Sequence, residues 1–391
     1  IMASLNASHF RGFFPTLQAI TARLHRRWCR AAERGEVVEM TRDLIRFTVD
    51  VTSALSFGED PNTLEIEDGQ VIQDHLAAIF PMMMKRSIAP VRHWRWFKLP
   101  ADRALDRHLA AVHAYAHERI AAARERLKVD NPEVPRHALE AMLMEAARPG
   151  SGFTDELIVA TALTLLLAGE DTTAHALAWS ILELARDPAL QSRMHLEAAR
   201  QLGGEAVCPR HEALRPLDRF EALAMEAMRF HPVVAFFAQH TLRPTVIGDV
   251  AVPADTRLFY ISRPAQLDAQ HFSEPLRFDP ERWVAGTSAG SNEGRTHEPR
   301  AHLQFGAGPR VCPGRHLAVQ EIRLVLSMLL REFEITLACD EGEIHEVLNF
   351  TNLPNRLPVR LRRRVNAAGP GPAPLAPPAP SSAPRCPVSG H

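Results

Sequence analysis

The stretch FGAGPRVCPG, Phe305 to Gly314, holds five Gly or Pro residues around a single cysteine, Cys312. A thiolate can ligate iron, and a bound metal removes the thiol proton outright. The glycines at 306, 308 and 314 let the backbone come close to something flat and bulky. Arg310, two residues before the thiol, offers a planar fork for carboxylates. The residues that follow, RHLAVQEIRLVLSMLLREF, repeat with helical period. They place the thiol near a helix N-terminus, where the helix dipole favours negative charge. For an isolated cysteine, a buried free thiol in a Gly-rich turn is the simpler account. Two further stretches change that balance. EAMR sets Glu226 and Arg229 three apart on one helical face, by itself an ordinary surface ion pair. AGEDTT places Glu170, Asp171, Thr172 and Thr173 between apolar flanks. Acids inside a buried helix are costly unless they serve something, although a cap or a break near Gly169 would also accommodate them.

Long helices must carry these groups. The segment GFTDELIVATALTLLLAGEDTTAHALAWSILELARDP reads as one helix, capped by Thr154 and stopped at Pro188. Its roughly thirty residues span about 45 Å, so it must cross the middle of the protein. Earlier helical repeats end at Gly35 and Gly58, and LDRHLAAVHAYAHERIAAARERL forms another. IFPMMMKRSIAPVRHWRWFKLP is either ordinary core or an adaptable apolar wall around a ligand. From about Thr241 the texture changes to short strands with Gly and Pro turns, and LREFEITL and LPVRLRRR add strand candidates. The expected fold class is therefore mainly α with a small β region (α+β). A catalytic domain over residues 1–366 precedes a Pro/Ala-rich tail, 367–391, too polar and stiff to pack.

The 391 residues carry a net charge of -1 and 46% hydrophobic residues, enough for a sizeable core and no support for a nucleic-acid partner. Five scattered cysteines (Cys29, Cys208, Cys312, Cys339 and Cys386) show no CxxC spacing, which argues against disulfides or a zinc site and for a reducing, cytoplasmic setting. No signal peptide is legible, and the apolar run in IVATALTLLLAGEDTT meets Glu170 too soon for a membrane span.

Together these motifs resemble the cytochrome P450 superfamily of haem-thiolate monooxygenases. FGAGPRVCPG fits that family's cysteine loop at Phe305, Gly308, Arg310, Cys312 and Gly314. EAMR fits its Glu-x-x-Arg, PERW supplies Arg282, and AGEDT fits its oxygen motif. The resemblance implies haem b, with Cys312 as axial thiolate, Phe305 packed by the sulfur, Gly314 in the loop and Arg310 on a propionate. Ala168 and Gly169 would line the oxygen pocket, and Asp171 and Thr172 would deliver protons. Glu226, Arg229 and Arg282 would form a structural ion network. An apolar small molecule is the implied substrate, met by Phe80 to Met84, Leu165 to Ala168, Val233 to Phe237 and Asn349 to Asn352. Electrons would come from a ferredoxin or flavodoxin with its reductase. A peroxygenase, or a fragment that holds haem poorly, are the competing expectations. The second arises because the family carries roughly a hundred residues before the point where this chain opens. His240 or Arg243 would be the further candidates for a propionate.

Overall fold

The computed structural model describes residues 7–66, 71–130, 134–284 and 298–364. The proposed tail lies outside them. Ten α-helices appear among the described residues: α1 (Ala7–Arg34), α2 (Met40–Phe57), α3 (Val71–Ile88), α4 (Pro100–Asp130), α5 (Ala138–Ala146), α6 (Asp155–Arg186), α7 (Pro188–Leu202), α8 (Asp218–Phe230), the single turn α9 (Arg263–Gln266) and α10 (Arg315–Glu332). The strands are short and pair antiparallel. β1 (Val37–Glu39) and β6 (Phe333–Leu337) flank β9 (Pro358–Arg363). Three two-stranded pairs complete the β structure: β2 (Phe236–His240) with β5 (Arg257–Ile261), β3 (Thr245–Ile247) with β4 (Val250–Val252), and β7 (Glu346–Leu348) with β8 (Asn352–Pro354). Both late strand candidates read from the sequence are therefore strands, β6 and β9.

Local chemistry sets the element ends. Thr154 accepts a hydrogen bond from the Leu157 amide at 3.3 Å, starting α6. Asp187 accepts from the Leu190 amide at 2.8 Å, and Pro188 occupies the first position of α7, where its missing N–H costs nothing. Gly58, at φ 72°, closes α2 in the left-handed region.

Helix α6 runs between two apolar cores. One gathers side chains of α1, α2, α7, α8, α10 and the C-terminal half of α6. The other gathers α3, α4, α5 and the N-terminal half, from Ile158 to Leu166. Residues 168–172 belong to neither, so the acid and hydroxyl groups of AGEDT sit at the seam. The first half of α6 is not buried all round: Leu157, Ala160, Thr164 and Ala168 form an exposed stripe at helical spacing. By length and composition α6 is apolar enough to cross a membrane, but half of its most apolar window is buried inside the protein, as in a core helix.

The C-terminal end of α6 is held by a half-buried imidazole. His231 stacks on Trp179 with ring centroids 4.1 Å apart, and meets Glu183 at 3.0 Å and Glu346 at 2.8 Å. Burial would lower its pKa, but the two carboxylates reverse this and raise it above the ordinary 6.5. Burial likewise opposes ionisation of Glu346, yet His231 and Arg263 bring its carboxyl down to about 2. The raised imidazole contributes stability below pH 6.5 that is lost as pH climbs through its folded value; the depressed carboxyl contributes above its ordinary 4.5 and is lost toward pH 2. His231→Gln is expected to flatten the fall in melting temperature above pH 6.5, as measured by circular dichroism melts across pH.

Candidate active site

The Cys312 loop is folded back on itself by its backbone. The Cys312 amide donates to the Phe305 carbonyl at 2.8 Å, and the Gly306 amide to the Leu303 carbonyl at 2.8 Å. Gly306 and Gly308, at φ 69° and 64°, make that reversal without the steric cost a side chain would bring. Gly314 needs no special dihedral, and a Cβ there would lie 3.8 Å from the Cys312 sulfur, in ordinary contact with it. Burial pushes the Cys312 thiol up, while the Gly314 and Arg315 amides and the Arg315 charge pull it the other way. Pro313 has no N–H, and the donors are the two amides after it. The Arg315 guanidinium also lies over the Phe305 ring, 5.5 Å from its centroid.

Loop, α6 and α10 enclose a cavity of about 270 Å³. Cys312, Phe305, Arg310 and Gly314 line it from one side, Ala168, Gly169 and Thr172 from α6. Arg310 is exposed at its rim. Among the expected substrate contacts, Leu165, Val233, Val234 and Phe237 line the same cavity. Phe80 to Met84 and Asn349 to Asn352 do not, and neither do His240 and Arg243. Phe80 instead stacks on Phe350, centroids 5.4 Å apart, joining α3 to the β7–β8 turn. Further along IFPMMMKRSIAPVRHWRWFKLP, Trp96 and Phe97 turn outward, Trp96 being 76% exposed.

Gly169 lines the cavity but its missing side chain answers to a different neighbour. A Cβ there would fall 2.5 Å from Thr52 Cγ2 on α2. Thr52 cannot swing away freely, because its hydroxyl donates to the Thr48 carbonyl at 2.7 Å. The glycine lets α2 lie close along α6. Gly169→Ala is expected to destabilise the protein by about 1–3 kcal/mol, and adding Thr52→Ser to restore most of it, in denaturant titrations of both variants.

Thr172 Oγ1 donates to the Ala168 carbonyl at 2.8 Å, one turn back, which leaves its oxygen free to accept from the cavity side. Asp171 does not line the cavity; burial raises its carboxyl to about 6. Its neighbour Glu170 is buried too and pushed well above the carboxylate range, by burial and by Asp171.

Glu226 is a hub. Arg229 meets both its oxygens at 2.9 Å, Arg282 donates at 3.0 Å, the Trp283 indole at 2.9 Å and the Asp279 amide at 2.8 Å. Arg229 reaches on to the carbonyls of Gln266, Pro275 and Arg277. This ties α8 to the segment that precedes the cysteine loop. The surface ion pair that EAMR suggests by itself is in fact fully buried.

Two lining residues were not legible as such. Gln304 accepts from the Val234 amide at 3.2 Å and is buried at the wall. Glu321 is buried in α10, its carboxyl pushed well above the usual range by burial, and its Oε2 has no hydrogen-bond partner among the described residues. In HLAVQEIRLVL the acid sits beside Gln320 and Arg323, so nothing local marked it as a lining residue.

The comparisons with known proteins run through the whole of this arrangement. The family model for cytochrome P450 matches residues 2–357. The mouse (Mus musculus) mitochondrial 25-hydroxyvitamin D-1 alpha hydroxylase is 28% identical over 339 residues, 83% of this chain and 64% of that protein. Drosophila melanogaster cytochrome P450 302a1, also mitochondrial, is 26% identical over 351 residues, 86% of this chain and 67% of that one. Among solved structures, the cytochrome P450DA heme domain superposes with a TM-score of 0.80 at 24% identity, covering 93% of this chain and 76% of its own. The chain thus spans about two thirds of the length of the curated relatives it matches. A family match over nearly the full described length, with the same fold and a lone thiol facing the cavity, places the chain in the cytochrome P450 family.

Proposed function

We propose that this chain is a haem-thiolate monooxygenase that inserts one oxygen atom of O2 into an apolar small molecule, fed by a separate ferredoxin or flavodoxin with its reductase. The observation that carries the reading is the placement of the Cys312 thiol and the Thr172 hydroxyl on one apolar cavity. The residues present fit haem b: a thiol with two amide donors, a close-approach glycine loop and a guanidinium at the rim. Cys312 would ligate the iron, Phe305 would pack beside the sulfur, and Arg310 would pair with a propionate. Bound haem supplies the oxygen activation and electron transfer that no side chain can perform.

The chain's own residues do the rest. The Gly314 and Arg315 amides spread the charge of the thiolate. Thr172 holds a hydroxyl at the cavity wall, and Asp171, with its carboxyl near 6, stands next to it as a group that both holds and releases a proton near neutral pH. Leu165, Val233 and Phe237 keep water out and select an apolar ligand. The hydroxylase names of relatives support oxygen insertion as the outcome.

The test is isotopic. Haem-loaded protein, a donor system and a panel of apolar substrates are supplied with labelled O2. One labelled atom in the product, dependent on reductant, supports the reading. Label arriving only from hydrogen peroxide points to a peroxygenase. No thiolate-type spectrum with carbon monoxide points to a chain that does not hold haem. Thr172→Ala is expected to raise peroxide released per reductant consumed severalfold while reductant use continues, because proton delivery at the cavity wall loses its hydroxyl. Peroxide and product are quantified side by side.

A further inference from the structure

His75 on α3 and His108 on α4 meet ring to ring, Nδ1 to Nδ1, at 2.8 Å. The rings are edge to face, with centroids 5.1 Å apart. Both side chains are half-buried, so one side of the pair remains open to water. One turn further along each helix, Ile79 and Val112 are each 1% exposed and packed in the same apolar core, so the backbones carrying the pair are anchored. Among the described residues no third His, Cys, Asp or Glu joins the pair, and no other group hydrogen-bonds either ring.

Each neutral imidazole has one N–H and one lone pair. The observed contact uses the N–H of one ring and the lone pair of the other. If the donor ring takes its Nε2–H tautomer instead, with its proton moved through water, both Nδ1 atoms carry lone pairs, and a turn of each ring by about 35–45° aims the two at one ion beside the N–N line. Two imidazole nitrogens bound to one ion at about 2.0–2.1 Å, at the tetrahedral or square-planar angles, stand about 2.9–3.4 Å apart. The observed separation needs an opening of only a few tenths of an ångström, which rotation of half-buried rings supplies. Water fills the remaining positions.

We propose that His75 and His108 form an interhelical site for a divalent transition-metal ion of the imidazole-preferring kind, which rivets α3 to α4. The chemistry selects zinc, nickel or copper over magnesium or calcium, which take oxygen ligands. This proposal does not depend on the reaction at Cys312.

The test uses the full haem-loaded chain. Calorimetric titration with Zn2+, and thermal melts with Zn2+, Ni2+ or Mg2+, are run on the parent and on His75→Gln and His108→Gln. Gln keeps a polar group at the interface, and each variant checks the other should one fold poorly. The expected result is one ion per chain, a rise in melting temperature with Zn2+ and Ni2+ but not Mg2+, and a loss in affinity of about ten- to a hundredfold in each variant. Bound Cu2+ is expected to show nitrogen couplings from two imidazoles in its paramagnetic resonance spectrum. Unchanged affinity in both variants, an equal response to Mg2+, or no shift in the parent overturns the proposal.

Discussion

Cys312→Ser is expected to abolish the thiolate-type absorption of the reduced, carbon-monoxide-treated protein and to take product formation to background. Ser at Cys29, Cys208 or Cys339 is expected to leave both intact. Cys312 is the one thiol among the described residues that lines the cavity. Cys208 is buried elsewhere, and burial raises its thiol to about 11. A serine hydroxyl holds its proton far more tightly than a thiol, so the replacement keeps the shape of the loop and removes the anion that iron requires. The measurement is a difference spectrum of the reduced protein with and without carbon monoxide, run beside a haem-content assay. A thiolate-type band surviving in Cys312→Ser would remove Cys312 from the site and with it the proposed activity.

Glu226→Ala should be the most destabilising single change outside the cavity. The substitution strands two buried guanidiniums, Arg229 at 0% and Arg282 at 7% exposure, together with the Trp283 indole and the Asp279 amide. Breaking a buried ion pair by removing one partner costs about 3–5 kcal/mol, because the remaining charge is left without compensation. That is a large part of the roughly 5–15 kcal/mol that holds a typical domain together. Soluble yield should fall sharply, and what remains should unfold at lower denaturant. Glu226→Gln keeps the shape and one good acceptor, and is expected to fall between the two. A change below about 1 kcal/mol in Glu226→Ala would show that the arginines find other acceptors, and that the hub does not hold α8 to the cysteine loop.

The site's chemistry was largely legible because it is local. A cysteine among glycines, an arginine two residues before it and a helix starting just after it are all contiguous in sequence, and short-range geometry makes them a loop with its thiol at a helix N-terminus. The ends of α6 were legible for the same reason: Thr154 and Pro188 act on their own neighbours. LREFEITL and LPVRLRRR, strand candidates from sequence, are the paired strands β6 and β9.

What needed the fold is what depends on residues far apart. Nothing near EAMR says that Glu226 is fully buried; the amide, guanidinium and indole that reach it from outside its helix come from 53 to 57 positions further along. Gly169 lines the cavity, but the reason it has no side chain shows only when Thr52, more than a hundred positions earlier, is seen to occupy the space of its absent Cβ. Glu321 looks like one polar residue in a helix, and Phe80 like a ligand contact, until packing puts the first at the cavity and the second against Phe350. The physical reason is common to all four. Residue type and spacing set dihedrals, caps and the chemistry a side chain can offer, whereas burial, ionisation and partners are properties of the space between elements, which exists only once the helices have packed.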